Sequence, residues 1–322
     1  MKLCVVDGSI VNLGDLSYKQ FEKFGELTVY NTHTHSLEEV VRRIGDADIV
    51  IGDGPDLPPG LAEACPNVKL ICVMATGYDG ADCEGARKKG IPVCNVPYYG
   101  TYSVSQYAIA LLLELCGHPA FYSKSVHEGK WFEVWDECVG GHKLIELAGK
   151  TMGVIGFGNI GRAVGAVAKA LGMNVIAYNR SRCSEGEAIA EYVELDELFE
   201  RSDVISLHAP LTEATRHIVN AESIAKMKDG VIIINNGRGP LVDSAALAEA
   251  LHSGKVYAAG LDVLEGEPNV WDNPLLKAPR CLITPHISWL PKESRQKILD
   301  ITEENIRRFL AGDPQNVVNG VK

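Results

Sequence analysis

No apolar run in the 322 residues approaches the ~20 that a membrane-spanning helix needs, so no spanning segment is expected. Positive charge is also short: 31 Lys and Arg stand against 42 Asp and Glu, for a net charge of -11. Such a chain repels polyphosphate backbones and anionic membrane surfaces, so neither nucleic acid nor membrane is an expected partner. The nine cysteines form no C-x-x-C pair and no regular framework, which reads as reduced, mostly buried thiols. There is no G-x-S-x-G elbow for nucleophilic catalysis and no low-complexity linker. The opening MKLCVVDGSIVNLGD has one Lys, a short apolar run and then acids and glycines; it reads as a first strand rather than a secretion signal, and the cytoplasm is the expected compartment.

What is present is ordinary globular material, 46% hydrophobic and 23% charged, in a chain longer than one core usually fills. Two domains are therefore expected. Short β-rich runs recur at LCVVD (3–7), LTVY (27–30), ADIVIG (47–52) and KLICVMAT (69–76), with the amphipathic stretches SLEEVVRRIGD and ADCEGARKKG among them. A strongly apolar helix is expected over 101–117, with a Thr or Ser start. A second strand series follows at 151–158, 174–179, 204–210, 230–236, 258–264 and 281–286. Strands alternating with helices predict α/β architecture with parallel sheets covered on both faces. After Pro291 a plain amphipathic helix runs to Gly312, and the pattern does not say which domain owns it.

In GFGNIG, Gly156, Gly158 and Gly161 follow the strand TMGVI and open the helix GRAVGAVAKALG. That is the context a dinucleotide fingerprint requires: a tight turn at Gly156, backbone approach to a pyrophosphate at Gly158, and close helix packing at Gly161. Flavin and S-adenosylmethionine binders share part of this pattern. The next strand ends in AYNRSR, so the neutral Asn179 stands about where an acid would hold the ribose 2′-hydroxyl. An acid would repel a 2′-phosphate, whereas Asn179, Arg180, Ser181 and Arg182 offer donors and positive charge. NADP(H) is the expected cofactor, with NAD(H) second.

Motifs in order along essentially the whole chain carry a family resemblance: ATGYDGAD (75–82), PYYGTYSVSQ (97–106), ELAGKTMGVIGFGNIG (146–161), LHAPLT (207–212), NNGRGPLVD (235–243), GLDVLEGEP (260–268) and TPHISW (284–289). The sequence resembles the D-isomer-specific 2-hydroxyacid dehydrogenases, most closely their glycerate dehydrogenase or hydroxypyruvate reductase branch. The resemblance implies a Rossmann cofactor domain at 101–291, inserted into a flavodoxin-like substrate domain of 1–100 plus 292–322, and a homodimer. It implies NAD(P)H-dependent reduction of a small 2-keto acid, hydroxypyruvate or glyoxylate, to the D-2-hydroxy acid, and the reverse.

By the same resemblance Arg238 binds the substrate carboxylate and keto oxygen, His286 is the acid/base and Glu267 its partner. The chemistry suits each role. A guanidinium is permanently charged and anchors an anion on which more negative charge develops. Imidazolium can supply a proton near neutral pH, and a neighbouring carboxylate favours that charged form. Thr76, Gly77 and Trp289 are implied at the substrate, and Asp262 near the nicotinamide carboxamide. Asn159, Ile160, His208, Pro210, Asn236 and Gly237 are implied at the cofactor. Before Arg238 the family usually has a Thr-Ala or similar pair where Asn236 and Gly237 stand here. No metal is expected, since His33 and His35 alternate without an evident third ligand. Phosphoglycerate or D-lactate oxidation, and a non-enzymatic dinucleotide-sensing corepressor, are the alternatives.

Overall fold

The computed structural model describes residues 1–34, 36–133 and 142–321, and divides into two compact units. The first comprises Met1–Tyr99 and Leu290–Lys322, the second Gly100–Trp289.

In the first unit β1 (Lys2–Val5), β2 (Glu26–Val29), β3 (Ile49–Gly52), β4 (Leu70–Val73) and β5 (Val93–Cys94) form a sheet ordered β2-β1-β3-β4-β5. All its pairings are parallel, the flavodoxin-like order. Every residue of β3 and β4 is buried, as strands covered on both faces must be, which explains their continuous Ile, Val and Leu content. The helix Lys292–Leu310 belongs here. Ile298, Leu299, Thr302, Asn305 and Ile306 lie on one face at helical spacing and are buried, and the helix packs against β4. Two polar ties hold it in the unit: Asn305 Nδ2 donates to Asn95 O at 2.9 Å, and Arg295 Nη1 to Asp15 Oδ1 at 2.7 Å.

In the second unit the strands are β6 (Thr151–Ile155), β7 (Asn174–Tyr178), β8 (Glu191–Tyr192), β9 (Val204–Leu207), β10 (Val231–Asn235), β11 (Val256–Leu261) and β12 (Cys281–Ile283). They pair in the order β12-β11-β10-β9-β6-β7-β8, again all parallel. This is a Rossmann sheet, with the strand order reversing between β6 and β9. Alternate residues of β10 feed two cores: Val231 and Ile233 face one, Ile232 and Ile234 the other. Leu111, Leu112 and Leu115 of the helix Thr101–Gly117 share the second core. Leu112 is fully buried, so Leu112→Ala would cost about 2–5 kcal/mol. The helix runs Thr101–Gly117 as expected; its N-cap is Gly100, with no side-chain cap, and it closes on His118 in a left-handed conformation.

Candidate active site

Register places the implied residues of the second unit in one row. Ile155, Leu207, Asn235, Leu261 and Ile283 are linked across β6, β9, β10, β11 and β12, and they end those strands. The next residue on each strand is Gly156, His208, Asn236, Asp262 and Thr284. This is the carboxyl edge of a parallel sheet, where ligands bind, and Gly156 and His208 flank the order reversal.

At two of its three glycines the turn has no room for a side chain. Gly156 has φ +90, and a Cβ there would lie 2.4 Å from Ala209 N; at Gly161 it would lie 2.3 Å from Gly156 O. At Gly158 the space is open. The helix Asn159–Ala170 starts immediately after, with Gly158 as its N-cap and no side chain covering its first N–H groups, which suits it to an anion. Asn179, expected at the ribose, accepts from Phe157 N at 3.1 Å through Oδ1 and donates to Ser181 O at 2.7 Å through Nδ2. It thereby joins the glycine turn to the Arg180–Arg182 segment. A cleft of about 290 Å³ is lined by Tyr178, Asn179, Arg180, Arg182, Tyr192 and Glu194, among others. Arg182 lies over the Tyr192 ring at 5.7 Å and 3.8 Å from Glu194.

Two side chains of the row carry unused hydrogen-bonding capacity. Asn236 is buried, yet neither its Nδ2 nor its Oδ1 has a partner; His208 shares a 2.8 Å hydrogen bond with Ser206 Oγ through Nε2, while its buried Nδ1 has none. A buried polar atom left unpaired is costly, and groups of this kind are the ones a ligand satisfies. Burial pushes the His208 imidazole down to about 4, so it is neutral at physiological pH. With the glycine cradle, these groups fit a bound dinucleotide.

Arg238, Glu267 and His286 follow the three neighbouring strands β10, β11 and β12. His286 Nδ1 donates to Glu267 Oε1 at 2.8 Å, and Glu267 Oε2 accepts from Leu264 N at 3.2 Å. His286 has φ +55, uncommon for a non-glycine residue, and its N–H donates to Asp262 O at 2.8 Å. Strain of this kind persists where surroundings enforce it. Asp262 does the enforcing: its fully buried carboxylate accepts from Thr284 Oγ1 at 2.6 Å, Ile287 N at 2.9 Å and Ser288 N at 2.9 Å. Arg238, half-buried, donates from Nη1 to Gly237 O at 2.9 Å, while Asn235 Nδ2 donates to Arg238 O at 2.9 Å. Pro210 and Trp289 lie near the ends of β9 and β12.

Thr76 and Gly77 belong to the first unit, beyond β4, where Thr76 Oγ1 donates to Val96 O at 2.8 Å. In that unit the sequence reading of His33 needs correcting. Its Nδ1 donates to Asp7 Oδ2 at 2.9 Å and lies 4.0 Å from Asp56 Oδ1, because β1, β2 and β3 deliver these distant residues to one edge. His35 lies outside the described residues. Sequence reasoning also missed Thr284 and Ser288, which shape the His286 segment through Asp262. Both lie within TPHISW (284–289), but that motif implied a role for neither.

A family profile described as D-isomer specific 2-hydroxyacid dehydrogenase, NAD binding domain, matches residues 109–288. A hydroxypyruvate reductase of Blautia hydrogenotrophica is 54% identical over 99% of this chain and 100% of its own length. A hydroxypyruvate reductase of Thermotoga maritima is 44% identical over 85% of this chain and 88% of its own. Among solved structures, a glyoxylate reductase from Paecilomyes thermophila superposes with a TM-score of 0.85 at 31% identity, covering 99% of this chain and 98% of its own. An acyclic imino acid reductase in complex with NADPH and D-Arg gives 0.86 at 27% identity, covering 99% of this chain and 100% of its own. With strand order, glycine turn and histidine–glutamate pair all in place, the chain belongs to the D-isomer specific 2-hydroxyacid dehydrogenases, enzymes that use a nicotinamide dinucleotide.

Proposed function

We propose that this enzyme reduces hydroxypyruvate or glyoxylate to the corresponding D-2-hydroxy acid, with NADPH preferred over NADH. The observation that carries the reading is the 2.8 Å His286–Glu267 pair, held at the strand edge that also carries Arg238. When bound, the nicotinamide supplies the hydride. The chain's own residues do the rest. Arg238 binds the substrate carboxylate and orients the keto oxygen, and its charge offsets the charge developing there. His286 gives that oxygen a proton from Nε2, because Nδ1 is committed to Glu267, and takes it back in oxidation. Thr76 and Gly77 are proposed to offer backbone donors to the substrate, and Trp289 to line its site.

For the cofactor, Gly156, Gly158, Asn159, Ile160 and Gly161 are proposed to hold the pyrophosphate. His208, Pro210, Asn236, Gly237 and Asp262 serve the nicotinamide side. Arg180 and Arg182, both exposed at the cleft, are proposed to bind a 2′-phosphate together with Asn179 and Ser181. The assay that tests this measures NADPH and NADH oxidation with hydroxypyruvate, glyoxylate, pyruvate and phosphohydroxypyruvate. Hydroxypyruvate or glyoxylate should give the highest kcat/KM, and a lead for pyruvate or phosphohydroxypyruvate defeats the substrate assignment. Replacing Arg180 and Arg182 with Ala should lower NADPH efficiency ~10-fold or more and spare NADH, since each charge-assisted phosphate contact contributes about 1.5–3 kcal/mol.

Two finer readings complete the proposal. Trp131 and Phe132 are 61% and 83% exposed, and Leu113, Val126 and Leu144 are also exposed, which supports a homodimer built on this part of the second unit. The described cysteines are all free thiols, which supports a reducing compartment, the cytoplasm.

A further inference from the structure

Glu267 is not the only carboxylate of its turn to hold a histidine. Two residues earlier, Glu265 accepts from Arg216 Nη1 at 3.0 Å through Oε1, and His217 Nε2 lies 3.0 Å from Oε2. His217 is itself firmly placed. Its φ is +49, its N–H donates to Pro240 O at 2.8 Å, and its carbonyl accepts from Asn220 Nδ2 at 2.8 Å, the residue that caps the helix Ala221–Lys226. On the other side of the turn, the 264–265 backbone is pressed against Gly239. A Cβ at Gly239 would lie 2.1 Å from the Leu264 carbonyl carbon and 2.4 Å from Glu265 N.

These contacts bear on Glu267 through one short path. Its Oε2 takes the N–H of Leu264, the residue whose carbonyl carbon is bonded to Glu265 N, while its Oε1 takes His286. Where Leu264 sits therefore decides where the Glu267 carboxylate points. We propose that Glu265, gripped by Arg216 and His217, is a positioning residue that fixes the 264–267 turn so that Glu267 faces His286. The proposal rests on the reading of His286 and Glu267 as the acid/base pair.

Glu265, Arg216 and His217 are each about a third to a half exposed, so solvent screens their attraction and little global stability depends on it. Geometry is another matter, because a displacement of about 1 Å near a reacting group can lower turnover on the order of a hundredfold.

The experiment uses the full-length enzyme and compares Glu265→Ala, Glu265→Gln, Glu267→Gln and the double variant Glu265→Ala/Glu267→Gln. Each is measured for kcat with hydroxypyruvate, for Tm, and for NADPH affinity by fluorescence titration. Glu265→Ala should lower kcat at least ~10-fold while NADPH affinity stays within about twofold, a split between chemistry and binding. Glu265→Gln keeps an acceptor oxygen and should recover part of the loss. In the Glu267→Gln background, adding Glu265→Ala should change kcat by less than about twofold, since the group it positions is already gone. Multiplicative losses, an unchanged kcat, or a loss that follows Tm or NADPH affinity would overturn the proposal. If Glu267→Gln itself leaves kcat unchanged, the acid/base reading fails and the positioning role falls with it.

Discussion

Both units are parallel sheets with strands buried on two faces, yet their carboxyl edges present opposite chemistry. In the first, β1 and β3 lead into Asp7, Asp53 and Asp56, and the His33 imidazole meets the Asp7 carboxylate. In the second, the corresponding edge offers an open glycine turn, a neutral histidine, an amide with no partner, and just beyond them Arg238 and His286. The shared fold supplies an edge where backbone groups and side chains converge; residue identity decides what that edge can do.

The buried titratable groups differ in the same sense. Burial, then Asp53 and Asp7, push Asp56 up to about 7, while burial alone pushes His208 down to about 4. Both shifts favour the neutral form of the group. Their effects on stability run in opposite directions with pH.

The strongest way to break the comparison is to remove the chemistry from the second unit alone. His286→Ala should lower kcat by roughly 10²–10⁴-fold, the usual span for losing a general acid, with the fold intact by circular dichroism. Undiminished turnover would end the assignment.

A glycine substitution made in each unit sharpens the contrast. Gly156→Ala meets the Ala209 backbone at 2.4 Å, with φ at +90. It should cost about 3 kcal/mol by overpacking and abolish measurable NADPH binding. In the first unit Gly90 has φ +70 with nothing within 4 Å, so Gly90→Ala should cost only about 1–2 kcal/mol for the left-handed backbone and leave NADPH affinity alone. Equal effects on binding would contradict the functional division drawn between the two units.

On turnover the smallest expected effects are those of pH, which act through stability. For Asp56 the folded value lies above the ordinary 3.8, so between about pH 4 and 7 the folded state keeps a proton that the unfolded state has lost, and stability falls as pH rises through that window. Asp56→Asn should remove this, raising stability at pH 8 relative to pH 4 by up to about 4 kcal/mol. For His208 the folded value lies below 6.5, so stability is lost as pH falls from about 6.5 to 4, and His208→Gln should remove that loss, up to about 3 kcal/mol. Urea midpoints for both variants at pH 4, 6 and 8 decide it. Parallel shifts at every pH would show that neither group titrates as described.

Much of this was readable from the chain. Runs such as VISLHAP and GVIIINN marked β9 and β10 because a strand buried on both faces must be apolar throughout. Their ends were not readable: the apolar runs were read to 210 and 236, whereas the strands stop at Leu207 and Asn235. The residues beyond them form the candidate site, and hydrophobic pattern does not mark where hydrogen-bonded pairing gives way to a turn. β5 and β8, two residues each, are too short to leave any period. Glycine spacing and family motifs pointed to the turn, to Arg238, Glu267 and His286, and to Asn179. That Asn179 spends its amide on Phe157 and Ser181 depends on how two loops meet, and only the fold reveals that.

By itself, the sequence determined the class of the fold and the glycine turn and singled out Arg238, Glu267 and His286 as candidates, because these depend on local spacing and residue chemistry. Tertiary structure alone decided what stands beside what. It brought Glu265 to His217 across 48 positions, Asp7 to His33 across 26, and Asp262 beneath the His286 segment. The physical reason is that parallel strands joined by helices carry residues distant in the chain to one edge of a sheet, and no local pattern records which of them will arrive together.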